Sequence, residues 1–423
     1  MMNHARATAL PLAEPNPRPS EPEIVEERPM ENPRTRRPMG REARLRAMDR
    51  AGIKKGPMDL PFFLLVLLLL GIGVIMVLSA SFASAYYNVG GTTGGNPTHY
   101  FLHQTFFAIS GVGLMLLISR LPTPLFSRLS YWAMFIALAL LVLVILIGVE
   151  GGGARRWINL GFTTFQPSEL AKAAVVLCFA KMICQYKDKM RTFRYGIFNF
   201  VAILVVITGL LYLQPHLSAI VIILGVGVVM MFLGGVHWGW FVSGFAALGA
   251  MSAFVLMRLS HAITRIAAWR DPLADPLGIG WQIIQSQLAI GSGGLLGVGL
   301  GQSRQKFLYL PEEHNDYIFA IIAEELGFVG GMLILCLFAI LIIRGYWIAM
   351  HAKTKYGGLI AAGMTSLLAL QVFLNVGVVT NLLPPTGISL PFFSYGGTAL
   401  WMQLVCMGVV LGVSREIPVK RAG

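Results

Sequence analysis

Long apolar runs separated by short polar stretches make up most of the chain from residue 58 onward. Each run has about 20 residues, the length that an α-helix needs to cross a membrane. The apolar residues are continuous and do not alternate with polar ones, so the pattern predicts helices and not the strands of a barrel. Ten runs qualify, at 60–85, 100–119, 129–148, 166–184, 196–214, 217–235, 238–257, 317–343, 358–379 and 396–414. We predict an all-α, polytopic integral membrane protein of about ten helices, with a large extracytoplasmic loop, 258–316, between helices seven and eight.

Composition divides the chain into three parts and argues against nucleic acid as a partner. Of the 423 residues, 56% are hydrophobic and 13% are charged, about half the charged share of a soluble domain. Residues 1–57, rich in Pro, Arg and Glu, predict a disordered basic cytoplasmic tail, 58–414 a membrane domain, and 415–423 a C-terminal tail. The net charge of +13 does not indicate nucleic acid, because the basic residues lie in the tail and beside the apolar runs.

The basic residues predict the orientation. With the N-terminus inside, 25 Lys and Arg lie on one side and seven on the other, with Lys172 inside a span. Cytoplasmic loops carry the excess of Lys and Arg, so both termini are expected in the cytoplasm. Three segments that mix Gly, Pro, aromatic and polar residues then fall on the extracytoplasmic side, at 149–168, 258–316 and 380–395. Irregular backbone at membrane depth is tolerated where protein buries it or it lines a cavity, so we expect a cavity there.

Asp316 is the first candidate for chemistry. It follows "LPEEHN" and directly precedes an apolar run. Either Asn315 or Asp316 caps that helix, or Asp316 is a general base whose pKa is raised by partial burial. Glu324 and Glu325 lie two turns deeper, and at least one must face the bundle or a polar cavity.

Two further stretches carry charge near the predicted cavity. In "QPSELAK", Glu169 and Lys172 share a helix face, either as a self-neutralising pair or as a functional pair that lines the cavity. The cluster Arg155, Arg156 and Trp157 either anchors lipid headgroups or clamps a pyrophosphate through paired hydrogen bonds.

A glycine-rich segment and an acidic cluster are weaker signals. "GSGGLLGVGLGQ", 291–302, has no preceding strand and is not a nucleotide fingerprint; it predicts a loop whose backbone approaches a ligand. Glu312, Glu313, His314 and Asp316 are ligand types that suit a divalent cation, Mg²⁺ or Mn²⁺, although nothing in the sequence fixes their geometry.

Four features together resemble one family. They are the layout of ten spans and the blocks "GARRWINLGFTTFQPSELAK", "GLGQSRQKFLYLPEEHNDYIFAIIAEELG" and "NLLPPTGISLPFFSYGG". The chain resembles the SEDS family (shape, elongation, division and sporulation), which includes FtsW, RodA and SpoVE. The resemblance covers residues 58 to 414.

The resemblance implies a peptidoglycan glycosyltransferase of the bacterial cytoplasmic membrane that polymerises lipid II on the outer face. It implies that Asp316 is the catalytic base for the acceptor hydroxyl, with undecaprenyl pyrophosphate leaving. We expect Lys172 with Arg155 or Arg156 to stabilise the leaving group. The residues expected to bind substrate are Arg155, Arg156, Trp157, Gln166, Ser168, Glu169, Lys172, His314, Ser394 and Tyr395.

The chain departs from the family pattern at one position. Many relatives have "PDLGT" between the fifth and sixth spans, where this chain has "QPHLSA", so His216 replaces an aspartate. The long tail favours the division or sporulation branch. The resemblance also implies a class B penicillin-binding protein as partner, with other divisome or elongasome membrane proteins.

Two other functions compete with the enzyme. A lipid II flippase would also use many spans with polar residues, but transporters usually have internal repeats and midplane sites, and this chain has no clear repeat. A non-catalytic scaffold would need no base, so it predicts that Asp316 is dispensable.

Overall fold

The computed structural model describes residues 56–88, 91, 93–151, 154–159, 161, 163–240 and 266–417. The tail predicted at the N-terminus (up to residue 55), most of the seventh predicted span, the first part of the large loop and the last six residues lie outside the described residues.

Helices dominate the described chain. They are α1 Leu60–Tyr87, α2 His99–Ile118, α3 Thr123–Ile147, α4 Pro167–Tyr186, α5 Asn199–Leu213, α6 Leu217–Leu233, α7 Ile279–Gly293, α8 Ile318–Met350, α9 Lys355–Val379 and α10 Gly397–Ser414. A π-helical turn, Arg194–Phe198, leads into α5. Nine of the predicted runs coincide with these helices, and α7 lies in the large loop.

Seven helices are long and apolar enough to cross a membrane: α1, α2, α3, α5 with its π-turn, α8, α9 and α10. Of the other two predicted spans, α6 is apolar but has 17 residues, and α4 has 20 residues but carries Glu169, Lys172 and Lys181. The all-helical, polytopic membrane architecture is confirmed, with seven candidate spans in the described chain.

Local sequence explains where several helices begin. A proline lies in the first turn of α1, α3 and α4, where its missing N–H costs no helical hydrogen bond. Asp59 also caps α1, because its Oδ1 accepts a hydrogen bond from the N–H of Phe62 at 3.0 Å.

The segment between α3 and α4 forms a small antiparallel sheet that the sequence analysis did not predict. Its strands are β1 Val149–Gly151, β2 Ala154–Asn159 and β3 Thr164–Phe165, in the order β1-β2-β3. Trp157 pairs with Val149, and Ile158 pairs with Phe165. The sheet places the Arg155–Trp157 cluster on a strand, where successive side chains point to opposite faces.

Helix α8 is interrupted near its start, and the glycine-rich segment fills the interruption. Gly327 has φ 69° and ψ −173°, so the helical hydrogen bonds break there. The carbonyl oxygens of Glu324 and Glu325 instead accept hydrogen bonds from Val298 N at 3.0 Å and Gly299 N at 3.1 Å. The 291–302 segment therefore approaches another stretch of backbone, where the sequence analysis expected a ligand.

We expect Gly297→Ala to lower the yield and thermal stability of the folded protein strongly. Gly297 has φ +82°, and a Cβ there would lie 2.1 Å from the carbonyl oxygen of Glu325. Gly301→Ala is the matched control, since Gly301 has φ +77° but nothing within 4 Å of its Cβ position. Both substitutions carry the conformational cost of about 1–3 kcal/mol, and only Gly297→Ala adds a clash. Equal thermal unfolding temperatures for the two variants would contradict this packing.

The two acidic side chains of α8 are buried in a network with the loop that precedes the helix. Both are 1% exposed. Glu324 accepts hydrogen bonds from Ser303 Oγ and Arg304 N, and Glu325 accepts them from Ser79 Oγ at 2.7 Å and Lys306 Nζ at 3.0 Å. The expectation that at least one turns away from lipid is confirmed for both, and their role is to fasten the loop to α8 and α1.

Candidate active site

The irregular segments converge around Asp316. It lies in a loop, residues 312–317, that precedes α8 and is called here the Asp316 loop. Gly387, with φ +71°, borders its carboxylate so closely that a Cβ on this glycine would lie 3.0 Å from Asp316 Oδ2 and 3.8 Å from Ser218 Oγ. Asp316 is half-buried, so its carboxylate has both a protein wall and access to solvent.

The structure decides against the helix-cap interpretation. The N-cap of α8 is Tyr317, without a side-chain capping hydrogen bond. The Asn315 amide donates to Glu312 Oε2 at 2.6 Å instead. Among the described residues, no hydrogen bond engages the Asp316 carboxylate, so this group is available to a substrate.

The surroundings raise the pKa of Asp316 to about 6. Burial is the largest cause, because it disfavours the charged carboxylate, and the nearby negative charge of Glu312 adds to it. Arg156 and His314 act in the opposite direction. A carboxylate with a pKa near 6 is a stronger base than an ordinary aspartate and is still mostly ionised at neutral pH.

Of the basic cluster, Arg156 is the member at the site. Its guanidinium donates to the carbonyl oxygens of Gln214 and Pro215, at 3.4 and 2.5 Å, and its charge acts on Asp316. Arg155 is exposed and Trp157 is half-buried. As neighbours of Arg156 on a strand, both side chains point to the other face. Of the two arginines expected to stabilise a leaving group, Arg156 is therefore the one that lies beside Asp316.

His216 lies against the same group of residues. Its Nε2 is 3.4 Å from Gln166 Nε2, and its side chain is buried. Burial, followed by the positive charges of Arg156 and Lys172, lowers the pKa of His216 to about 3. The ring is therefore neutral at physiological pH, and it can accept a hydrogen bond from the Gln166 amide.

Glu169 and Lys172 form the self-neutralising pair. Lys172 Nζ lies 2.7 Å from Glu169 Oε2, and both side chains are largely buried. This pairing weakens the expectation that Lys172 faces a leaving group. Ser168 is also buried, and its Oγ has no hydrogen-bond partner among the described residues.

A small cavity lies beside the 380–395 segment, one of the three expected to line a cavity. It has a volume of about 30 Å³, enough for about two water molecules. It brings together three of the predicted site residues, Glu169, Ser394 and Tyr395, with the buried amides Gln371 and Gln403.

Ser394 and Tyr395 hold the Asp316 loop, and His314 is one of the loop residues that they contact. Ser394 Oγ donates to Asn315 O at 2.7 Å, and Tyr395 N donates to His314 O at 2.9 Å. The rings of His314 and Tyr395 also pack with centroids 5.9 Å apart. Ser394 and Tyr395 therefore position the loop, and the substrate contacts of these three residues stay a prediction.

Three residues at the start of α2 complete this arrangement and were missed by the sequence analysis. The Tyr100 ring lies 4.7 Å from that of His314, and Tyr395 Oη is 3.0 Å from His103 Nδ1. Gln104, which is fully buried, donates to the carbonyl oxygen of Ser394 at 3.2 Å. Their spacing (i, i+3, i+4) places them on one helix face, which is the only sequence signal for them.

No preformed metal site is present in the described part of the chain, where no three His, Cys, Asp or Glu side chains lie close enough to hold an ion. Of the four suggested ligands, Glu313 lies 3.3 Å from His314 Nδ1, and Glu312 accepts the Asn315 amide. The divalent cation stays a prediction.

Comparison with known proteins gives consistent matches along the membrane domain. A family profile described as "Cell cycle protein" (FtsW, RodA, SpoVE) matches residues 60–418. Stage V sporulation protein E of Bacillus subtilis is 43% identical over 367 residues, covering 86% of this chain and 98% of that protein. A protein of Trichlorobacter lovleyi named "Probable peptidoglycan glycosyltransferase FtsW" is 38% identical over 360 residues, covering 84% and 93%.

Solved structures match as well. A chain from a study of structural coordination of polymerization and crosslinking by a peptidoglycan synthase complex is 30% identical, with a TM-score of 0.69 and coverage of 85% of this chain and 98% of that one. The rod shape determining protein RodA of Thermus thermophilus is 28% identical, with a TM-score of 0.63 and coverage of 86% and 98%.

Proposed function

Because the chain belongs to the FtsW, RodA and SpoVE family of cell cycle proteins, we propose that it is a peptidoglycan glycosyltransferase that polymerises lipid II into glycan strands. The observation that carries this proposal is the Asp316 carboxylate, half-buried, free of hydrogen bonds to described residues, and tuned toward neutral pH. A non-catalytic scaffold would not require a carboxylate with these properties.

In the proposed reaction, Asp316 removes the proton from the 4-hydroxyl of the acceptor sugar. The hydroxyl oxygen attacks the anomeric carbon of the donor as the bond to undecaprenyl pyrophosphate breaks. One base and one charge to receive the leaving group are sufficient for inversion at a single centre. The acceptor proton ends on Asp316, and the electron pair of the broken bond leaves with the pyrophosphate.

Arg156 is the best-placed residue to stabilise that leaving group. Its guanidinium is anchored to the backbone before α6 and acts electrostatically on Asp316. A planar guanidinium suits the oxygens of a pyrophosphate, and a fixed charge needs little reorganisation as the leaving group develops. Lys172 contributes less, because Glu169 neutralises it.

The location follows from charge. Lys and Arg are in excess at the helix ends on the side of the two termini, away from the Asp316 loop. This distribution supports an arrangement with both termini in the cytoplasm and the Asp316 loop on the outer face. We propose ten spans in the bacterial cytoplasmic membrane, counting α4, α6 and the run at 238–257 with the seven candidate spans.

The similarity to stage V sporulation protein E and to FtsW supports a role in division or sporulation. The solved peptidoglycan synthase complex supports a class B penicillin-binding protein as partner, which would cross-link the strands. Other divisome or elongasome membrane proteins are further expected partners.

We expect kcat/KM for polymerisation to rise with pH and to level off above about pH 6. A base acts only when it is deprotonated, and the pKa of Asp316 is raised to about 6, so acid inactivates the enzyme through this residue. Initial rates between pH 4.5 and 8.5 measure this rising part of the pH profile, called here the acid limb. Histidines as a class titrate in the same range, so His314→Gln is the control. This variant should keep an acid limb, moved to slightly higher pH because a charge that favours the ionised Asp316 is lost. A limb at the position of an ordinary aspartate would contradict the assignment.

The function is tested with purified protein, its cognate class B penicillin-binding protein, labelled lipid II and divalent cations, with products separated on a gel. A glycan ladder is the expected result. The absence of a ladder, with lipid II crossing liposome membranes, would overturn the enzyme in favour of a flippase. The absence of both activities would favour a scaffold.

A further inference from the structure

Three consecutive carbonyl oxygens of the Asp316 loop are held from outside it. The hydrogen bonds are Tyr395 N to His314 O at 2.9 Å, Ser394 Oγ to Asn315 O at 2.7 Å, and Asn375 Nδ2 to Asp316 O at 2.8 Å. Ordinary loops satisfy such groups with water, so this degree of fixation indicates a loop whose position matters.

The third donor is the one that contacts the proposed base. Asn375 lies on α9 and is 1% exposed. The same amide nitrogen also donates to Ile388 O at 2.6 Å, which its two hydrogens allow. Ile388 follows Gly387, whose backbone borders the Asp316 carboxylate. One amide group therefore fixes both the backbone of the base and the wall against which its carboxylate lies.

We infer that Asn375 is a positioning residue that holds Asp316 and the Gly387 wall in the geometry needed for proton abstraction, an inference that rests on the proposed function. A base must meet its proton within hydrogen-bond reach, and a misplacement of about 1 Å costs on the order of 100-fold in rate.

Packing alone gives no reason for an asparagine at this position. A buried amide must be compensated by hydrogen bonds, and an apolar side chain would fill a helix bundle at lower cost. Both hydrogen bonds from the Asn375 amide nitrogen run to loop carbonyls, while its Oδ1 has no partner among the described residues. The amide of Asn375 therefore stabilises the two loops through their backbone.

The test compares Asn375→Ala with Ser286→Ala. Ser286, on α7, is equally buried, and its Oγ donates to the carbonyl oxygen of Val379 on α9 at 2.7 Å. This control therefore removes a buried hydrogen bond between a side chain and a carbonyl that does not involve the base. Per folded protein, we expect Asn375→Ala to lower kcat about 10- to 100-fold with KM within about twofold, and Ser286→Ala to leave both unchanged.

The pH profile separates positioning from lost stability. Without Asn375 the Asp316 carboxylate loses part of its burial while Glu312, Arg156 and His314 still face it, so the acid limb of Asn375→Ala should move to lower pH. If this variant does not fold, Asn375→Ser, which keeps one donor, is measured in the same way and should show a smaller loss of kcat.

The inference would be overturned if either Asn375 variant had the kcat of the wild type per folded protein and an acid limb at the same pH as the wild type. A rise in KM alone would also overturn it, because it would indicate a role in binding. Failure of the proposed function is distinguishable, since the wild-type protein would then produce no glycan.

Discussion

Asp316→Asn is expected to lower glycan polymerisation by about 10²- to 10⁴-fold, the range that general bases contribute. The amide has nearly the same shape as the carboxylate but cannot take the acceptor proton. No hydrogen bond from a described residue to the carboxylate is lost, so the fold should be unaffected. Initial rates with saturating lipid II, on protein of confirmed monodispersity, measure the effect.

Stability gives an independent check on this variant. The folded protein holds the Asp316 proton more tightly than the unfolded chain does, so the wild type loses stability as pH rises from the ordinary aspartate range to about 6. Asparagine is uncharged and avoids this loss. At pH 7.5, Asp316→Asn should therefore unfold at the same temperature as the wild type or a higher one.

Glu312→Gln is the matched control, since it makes the same chemical change in the same loop. Glu312 is exposed, and its charge raises the pKa of Asp316. We expect this variant to keep polymerising, with its acid limb moved to lower pH. Wild-type activity in Asp316→Asn would exclude the carboxylate as the base.

Lys306→Met is expected to destabilise the protein by about 3–5 kcal/mol, the cost of leaving a buried charge without its partner. Lys306 is 2% exposed, and its Nζ lies 3.0 Å from Glu325 Oε1 and 3.3 Å from Ser79 Oγ. Methionine fills a similar volume, so the loss of charge and not of packing dominates. Thermal unfolding in detergent measures the change.

Two further variants isolate the ion pair. Arg304→Met removes a positive charge from the same loop, but this side chain is exposed and only its backbone N–H contacts Glu324, so stability should hold. The double variant Lys306→Met/Glu325→Gln removes both charges and should regain much of the lost stability. If Lys306→Met were as stable as Arg304→Met, the buried pair would not be a main support of the loop.

Hydropathy predicted the existence of the helices better than their ends. Helix α3 begins at Thr123, six residues before the predicted start, and α8 continues to Met350, seven residues past the predicted end. The extra turns contain Arg128 and Arg344, which lower the local hydropathy without breaking the helix. A helix extends beyond its apolar part, whereas a window of apolar residues detects only that part.

Some residues of the site could be predicted from the sequence, and others could not because their partners lie elsewhere in the chain. Asp316 and Arg156 could be predicted because charges beside apolar runs are conspicuous. Asn375 could not, because its function depends on two carbonyls, 59 and 13 residues away, and one polar residue inside an apolar run does not identify its partners. The glycine-rich segment shows the same limit: the sequence predicted that its backbone approaches a ligand, whereas the contacts of Val298 and Gly299 run to the backbone of α8.

The buried network of Glu324 and Glu325 has a consequence for biogenesis. Its partners are Ser79, Ser303, Arg304 and Lys306, and every one of them precedes the two glutamates in the chain. During synthesis from the N-terminus, the groups that neutralise and hydrogen-bond these carboxylates emerge before the carboxylates do. The partners of the acidic turn are therefore already synthesised when α8 emerges, and pairing with them lowers the cost of burying two carboxylates.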